Sequence, residues 1–342
     1  MPIARRKILK QLLVGSSGLG WALARAQPWP SKPVKIVVPF PAGGYADAYA
    51  RILAEHMTLA WGQSVTVHNR AGNGGMLAAS EVAQAAGNGY TLLMGTVGTH
   101  AINASLLARL PYHPVNDFSA ISFVVEAEGV LVVPASSPAK TVQELLEWAR
   151  TQKNLSFASA GLGSTSHLAG ELFRQKNRLD LTHIPYKGNS PALVDLIGGQ
   201  TTMMFATLQT VIPYLQSRRL RALAVLGALG ATPSPWVQGL PSLAQSPWMG
   251  KTLANWAGLF GAAGMPAVVV QKIHAQVQRI LQLPTVQARM TAEGMRFVPM
   301  GSDTFAQFVR AEIASWHDIV RASGATVNEG RFSPRQTNLW LG

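Results

Sequence analysis

Short apolar runs recur along the chain, and most stop at a glycine, a proline or a hydroxyl residue. Val34-Lys35-Ile36-Val37-Val38 stops at Pro39. Residues 90–94 stop at Gly95, 129–133 at Pro134, 155–158 at Ser159 and 202–206 at Thr207. Near-continuous runs of this length predict strands buried on both faces. Between them the spacing changes to that of a helix. Ile52, Leu53, Met57 and Ala60 share one face after the first strand. Phe305, Phe308, Val309, Ile313, Trp316 and Val320 do so near the end of the chain, behind the start signal Ser302-Asp303. Strands that alternate with helices predict an α/β fold.

Further strands are expected at 64–68, 121–125, 181–184, 220–226 and 255–262. Helices are expected at 76–86, at 142–152 behind the cap Thr141, and at 208–217. One more stops at Gly198-Gly199, another starts with Pro266 and runs to 283, and another covers 284–293. Residues 230–250 read as surface loop and 331–342 as a loose tail.

One device recurs: a buried strand, a polar loop with glycines, then a helix. The first copy is Val34–Val38, then Pro39-Phe40-Pro41-Ala42-Gly43-Gly44-Tyr45-Ala46-Asp47, with a helix from about 46. The second is 90–94, then Gly95-Thr96-Val97-Gly98-Thr99-His100, with a helix from about 102. The third is 155–158, then Ser159-Ala160-Gly161-Leu162-Gly163-Ser164-Thr165-Ser166-His167 and a helix through 173. Each presents free backbone N–H groups and the positive end of a helix dipole, which suits an anion. In doubly wound sheets such loops gather at the carboxyl ends of the strands, where ligands sit.

Each candidate has a structural reading beside the binding one. Gly43-Gly44 is a cradle or a plain tight turn, and Asp47 an N-cap or a first-turn carboxylate. Thr96, Gly98 and Thr99 offer hydroxyls and amides; His100 touches the ligand or packs behind it. Ser159, Ser164, Thr165 and Ser166, beside Gly163, supply donors or cap the helix that follows. Tyr186 and Lys187 add a contact, or Lys187 is a solvated lysine.

The ordered set of motifs resembles the Bug-type solute-binding receptors of tripartite tricarboxylate transporters. It comprises Phe40-Pro41-Ala42-Gly43-Gly44 with Asp47, Asn69-Arg70 with Gly72, Gly74 and Gly75, and Gly89-Tyr90-Thr91-Leu92-Leu93. It continues through Gly95-Thr96-Val97-Gly98-Thr99-His100, Leu110-Pro111-Tyr112, His167-Leu168-Ala169-Gly170-Glu171, Pro185-Tyr186-Lys187-Gly188 and Gly198-Gly199-Gln200. The resemblance spans roughly residues 29–325. It implies a two-lobed type II periplasmic binding-protein fold with a ligand cleft between the lobes. Lobe 1 would hold 27–127 plus 256–342, and lobe 2 128–255, with crossovers near 129–133 and 255–262. It implies a monomeric receptor that closes on a small organic carboxylate and delivers it to membrane transporter subunits. Two departures bear on the ligand. Ala206 stands where relatives usually carry aspartate, and Tyr45 where they often carry a small residue.

Charge and chemistry narrow the rest. Arg5-Arg6-Lys7, the apolar stretch 11–23 and Ala24-Arg25-Ala26 read as an export signal cleaved after Ala26, which places the mature chain in the periplasm. The signal takes five of the 29 basic residues, leaving 24 against 16 acidic ones and a net charge of +8. That suits an anionic ligand. The basic residues are scattered, which speaks against nucleic acid. No later run is long enough to span a membrane. There is no cysteine, and the eight histidines lack ligand spacing, so neither metal nor cofactor is expected. Ser137-Pro138-Ala139-Lys140 matches S-x-x-K without its partner motifs. The rivals to transport are a carboxylate sensor and a hydrolase or lyase on the same scaffold.

Overall fold

The computed structural model describes residues 29–107, 109–227, 234–250 and 253–325. The export signal, the tail 331–342 and part of the loop at 230–250 lie outside the described residues.

In chain order the elements are β1 (Val34–Val38), α1 (Tyr45–Trp61), β2 (Val65–Asn69), α2 (Met76–Ala83) and β3 (Thr91–Thr96). A wide π-type turn over Gly98–Ile102 runs into α3 (Asn103–Leu106). Then come β4 (Phe118–Ala127), β5 (Gly129–Pro134), α4 (Val142–Thr151), β6 (Leu155–Ser159), α5 (Thr165–Asn177), β7 (Leu181–Pro185) and α6 (Asn189–Ile197). The chain continues through β8 (Met203–Thr207), α7 (Leu208–Gln216), β9 (Leu220–Val225), β10 (Asn255–Ala262) and α8 (Ala267–Leu281). It ends with α9 (Pro284–Ala292), β11 (Met295–Arg296) and α10 (Ser302–Ser323).

The strands form two sheets, ordered β11-β4-β10-β3-β1-β2 and β7-β6-β8-β5-β9. β1 runs parallel to β2 and β3, and β6 parallel to β7 and β8. One residue, Glu128, separates β4 of the first sheet from β5 of the second, and β10 carries the chain back. Glu128 is held at this crossing. Its Oε1 accepts from the N–H groups of Gly129 and Gly227, and its own carbonyl accepts from Leu208.

The strand pattern has a simple cause. Val34, Ile36 and Val38 pack on the same side as α1 and α8, whereas Val37 faces the cluster that holds α2 and α10. Both faces are covered, so polar residues have no face to occupy. α10 buries Phe305, Val309, Ile313 and Trp316 and lies against α5. Its Glu312 accepts from the indoles of Trp256 and Trp316 at 2.7 and 3.0 Å.

Of the two readings of Asp47, the first-turn carboxylate holds, because Gly44 is the N-cap of α1. Three details differ from the sequence expectations. α2 stops at Ala83, because the chain tightens at Ala85 and Gly87 sits where a side chain would strike the Ala263 carbonyl. A π-type turn over Gly98–Ile102 precedes the helix expected near 102, which starts at Asn103, and the strand before it runs on to Thr96. β11 has two residues and so no period to read; it is placed by pairing with β4 and by the 2.6 Å contact of Arg296 with Glu126.

Candidate functional site

The carboxyl ends of β1, β3, β6, β7 and β8 converge on one cavity between the two sheets. Its volume, taken as the space open to the centres of water molecules, is ≈ 80 Å³. One water needs about 10–15 Å³ on that measure. The cavity therefore has room for several waters or for a small organic molecule.

The first wall is the loop after β1. Gly43 has φ +92°, a conformation that requires glycine, and its N–H donates to the Asp47 carboxylate at 3.1 Å. Gly44 has an ordinary φ of −81°, and a Cβ added there meets nothing within 4 Å. The two glycines thus divide the work: Gly43 makes the turn, and Gly44 leaves room in the cavity it lines. Beyond them, the N–H groups of Tyr45 and Ala46 have no acceptor among the described residues. They are the orphan donors of a helix start.

Asp47 lines the cavity, but its carboxylate is spent on structure. Arg51 donates to it through Nε and Nη2 at 3.0 and 2.9 Å, and Asn69 donates at 2.9 Å. Burial pushes its pKa up, but the bonds from Arg51, Asn69 and Gly43 outweigh burial and hold it below the usual carboxylate range. Tyr45 forms an aromatic wall. Its hydroxyl donates to the Trp256 carbonyl on β10 at 3.2 Å, which pins the ring across the first half.

The opposite wall is the loop between β6 and α5. Ser164 caps α5 by accepting from the His167 N–H at 3.3 Å. Its hydroxyl also donates to the Gly161 carbonyl at 2.6 Å. Ser166 accepts from the Ala160 N–H at 2.9 Å. These serines therefore hold the loop together. Thr165 is different. It is 4% exposed, lines the cavity, and its hydroxyl has no partner among the described residues. Across the cavity, Thr96 at the end of β3 is 1% exposed and its hydroxyl is equally unpartnered. A buried hydroxyl without a partner is costly, and both of these belong to cavity-lining residues.

Of the residues picked from sequence, Ala42, Gly44, Tyr45, Asp47, Thr96, Gly98, Ser164, Thr165, Ser166 and Ala206 line the cavity. Gly43, Thr99, His100, Ser159, Gly163, Tyr186 and Lys187 do not. Gly43 turns the loop behind the wall. Thr99 and His100 are fully buried beneath it. Ser159 bonds His183 at 2.6 Å, facing away. Gly163, with φ +72°, packs against Asn103 of the first half. The Tyr186 hydroxyl donates to Asp195 at 2.7 Å, and Lys187 is exposed.

Sequence reasoning did not place the start of α6 in the site, where Asn189, Ser190 and Pro191 line the cavity. The glycine before them, Gly188 at φ +129°, was the available signal. It also missed the apolar side: Phe40, Val97, Phe205 and Leu226. Nothing local separates such residues from ordinary core. Among the described residues, no lysine or arginine lines the cavity.

One cluster among the described residues brings metal-type ligands together, although the sequence spacing gave no hint of it. Single ligand atoms of His167, Glu171 and His183 lie within 4.8 Å of one another. Each side chain is already engaged. Glu171 pairs with Arg174 at 2.7 Å, His183 with Ser159, and His167 Nδ1 accepts from the Gly163 N–H at 3.4 Å. The two rings stack at 4.3 Å and 18°, so their in-plane lone pairs run side by side instead of converging. This is the geometry of packing behind the second wall.

A sequence profile described as the tripartite tricarboxylate transporter family receptor matches residues 49–325. The chain belongs to this receptor family. Protein BugT of Bordetella pertussis is 31% identical over 316 residues, 92% of this chain and 96% of BugT. Among solved structures, the R. palustris protein Rpa4515 with adipate superposes with a TM-score of 0.82 at 32% identity, covering 87% of this chain and all of that one. MatC of Rhodopseudomonas palustris with bound malate gives 0.78 at 32% identity, covering 85% and 99%. The fold of this receptor is that of the periplasmic binding proteins. No helix among its described residues is long and apolar enough to cross a membrane.

Proposed function

We propose that this receptor captures a small organic carboxylate between two lobes and delivers it to the membrane subunits of a tripartite tricarboxylate-type transporter. The lobes are 27–127 plus 256–342 and 128–255, meeting at the crossings beside Glu128 and at β10. The mature protein begins after Ala26, works in the periplasm as a monomer, and releases its ligand unchanged. The observation that carries the reading is the pair of unpartnered hydroxyls, Thr96 and Thr165, on opposite walls and each beside a helical turn. With the orphan N–H groups of α1 they supply donors from both walls, without a cationic side chain among the described residues. Adipate and malate in the related structures are of this chemical class. Among the described residues the lining offers no base–nucleophile pair, since the Asp47 carboxylate is held by Arg51 and Asn69.

Gly44→Val tests the site. The φ of Gly44 suits any residue and its Cβ position is open, so the variant is expected to fold normally and fill the cavity. Adipate should raise the melting temperature of the wild type by mass action and leave that of the variant unmoved. A variant that still binds would move the site elsewhere.

Thr96→Val and Thr165→Val remove one hydroxyl each at nearly constant shape. A hydrogen bond to a charged group contributes about 1.5–3 kcal/mol. Each change is therefore expected to weaken carboxylate binding by roughly ten- to a hundredfold. The unbound proteins should melt no lower than wild type, because the lost hydroxyl had no partner. Calorimetry beside thermal melts separates the two effects, and unchanged affinity in both variants would exclude these groups.

A further inference from the structure

His100 is an odd choice for its position. It is fully buried, stacked on Phe260 at 3.8 Å and 15° and edge-on to Phe118 at 4.7 Å. Phenylalanine would serve such a slot without burying polar atoms. One of the ring nitrogens, Nε2, has no partner among the described residues. The other, Nδ1, lies 2.8 Å from the Thr99 hydroxyl. Gly95 is what lets the ring sit there, since a Cβ at Gly95 would come within 2.7 Å of it.

The hydrogen count fixes the direction of that bond. The Thr99 hydroxyl donates its single hydrogen to the Thr96 carbonyl at 3.0 Å and accepts from the Thr96 N–H at 2.9 Å. Its remaining lone pair faces His100, so Nδ1 must carry the hydrogen and donate. The alternative tautomer would strip the Thr96 carbonyl of its donor and bury an orphan Nε2–H, and buried orphan donors are the rarer fault. Burial also keeps the ring neutral, with its pKa driven down to about 3. The loop is braced from a second side, where Tyr112 donates to the Thr99 carbonyl at 2.8 Å.

We infer that His100 is a positioning residue: as the Nδ1–H tautomer it locks the Thr99 hydroxyl, which clamps both backbone groups of Thr96 and so fixes this lining residue in the cavity wall. The ring never touches the ligand. Its neighbour Gly98 lines the cavity while Thr99 and His100 lie beneath. An unsatisfied Nε2 is the cost of having a donor at Nδ1.

The test has one arm that needs no ligand and one that rests on the carboxylate reading. Nitrogen-15 NMR of the full-length protein should show His100 neutral and Nδ1-protonated from pH 8 to pH 5. An Nε2–H tautomer, or a ring that titrates in that range, would overturn the inference. In His100→Phe, amide hydrogen exchange at Thr96 should accelerate at least tenfold, while the melting temperature holds or rises because the orphan nitrogen is gone. Adipate affinity should fall about tenfold. Unchanged Thr96 exchange in a folded His100→Phe refutes the clamp, whatever the ligand proves to be. Thr99→Val, which keeps the histidine, is the second variant and should reproduce the faster exchange; slow exchange there refutes the clamp equally. If wild type fails to bind adipate while both variants show fast exchange, the clamp stands and the carboxylate reading is what fails.

Discussion

Lowering the pH below about 6 is expected to destabilise the receptor with a slope that approaches about 2.7 kcal/mol per pH unit near pH 5, from two histidines alone. His100 is fully buried and His167 is 2% exposed. Burial drives their pKa values down to about 3 and about 4. In the unfolded chain both titrate near about 6.5. Below that pH the unfolded chain binds about two more protons than the fold does. Stability therefore rises with pH across this window, is complete above about 6.5, and stops falling only once the folded rings protonate. His183 acts with the same sign, pushed to about 3 by burial and by the neighbouring His167. Asp47 follows at lower pH. Its depressed pKa contributes stability present above the ordinary carboxylate value and lost as pH falls through the folded one. Urea denaturation at half-unit pH steps reads the slope. His100→Phe should cut the two-histidine slope to about 1.4 kcal/mol per unit. A flat profile from pH 7 to pH 5 would mean that the rings are not held neutral.

The same residues show why part of the site was legible in the sequence and part was not. The strand–glycine–helix device is local, so its three copies could be read from runs such as Val34–Val38 followed by Gly43-Gly44. β10 lies at 255–262 as its apolar run predicted. Thr141 caps α4 by accepting from the Glu144 N–H at 3.1 Å. What a local pattern does not carry is which way a side chain faces. Thr96 and Thr99 sit three residues apart in one polar loop. One lines the cavity and the other bonds the backbone of the first from beneath. Ser159 and Ser166 likewise read as ligand donors and prove to be bonded within their own half. Asp47 was offered as a ligand-binding residue; its carboxylate is consumed by Arg51 and Asn69, and Asn69 comes from a strand 22 positions away. The apolar wall is assembled from four separate strands or loops. Only the topology brings Phe40, Val97, Phe205 and Leu226 to one place.

That wall governs the last expectation. Ala206 stands one residue before the end of β8, is 3% exposed, and lines the cavity together with Tyr45. A carboxylate placed there would face a bound anion with no cation among the described lining residues to screen it. Two like charges about 4 Å apart repel by about 1 kcal/mol at the dielectric of water and about 4 kcal/mol at an effective value near 20. Ala206→Asp is therefore expected to weaken adipate binding by between about fivefold and about a thousandfold. The change also buries polar atoms, so Ala206→Asn is the control: similar bulk and similar desolvation, without the charge. The difference in affinity between the two variants isolates repulsion from crowding. The wild type is expected to prefer succinate over aspartate, since the Ala206 side chain offers an ammonium group no acceptor. Ala206→Asp should shift that preference toward aspartate, because the new carboxylate can accept from the ammonium. Calorimetry with this matched pair on wild type and both variants decides the matter. If aspartate binds the wild type more tightly than succinate, the ammonium has an acceptor elsewhere in the cavity, and Ala206 does not set the ligand's chemistry.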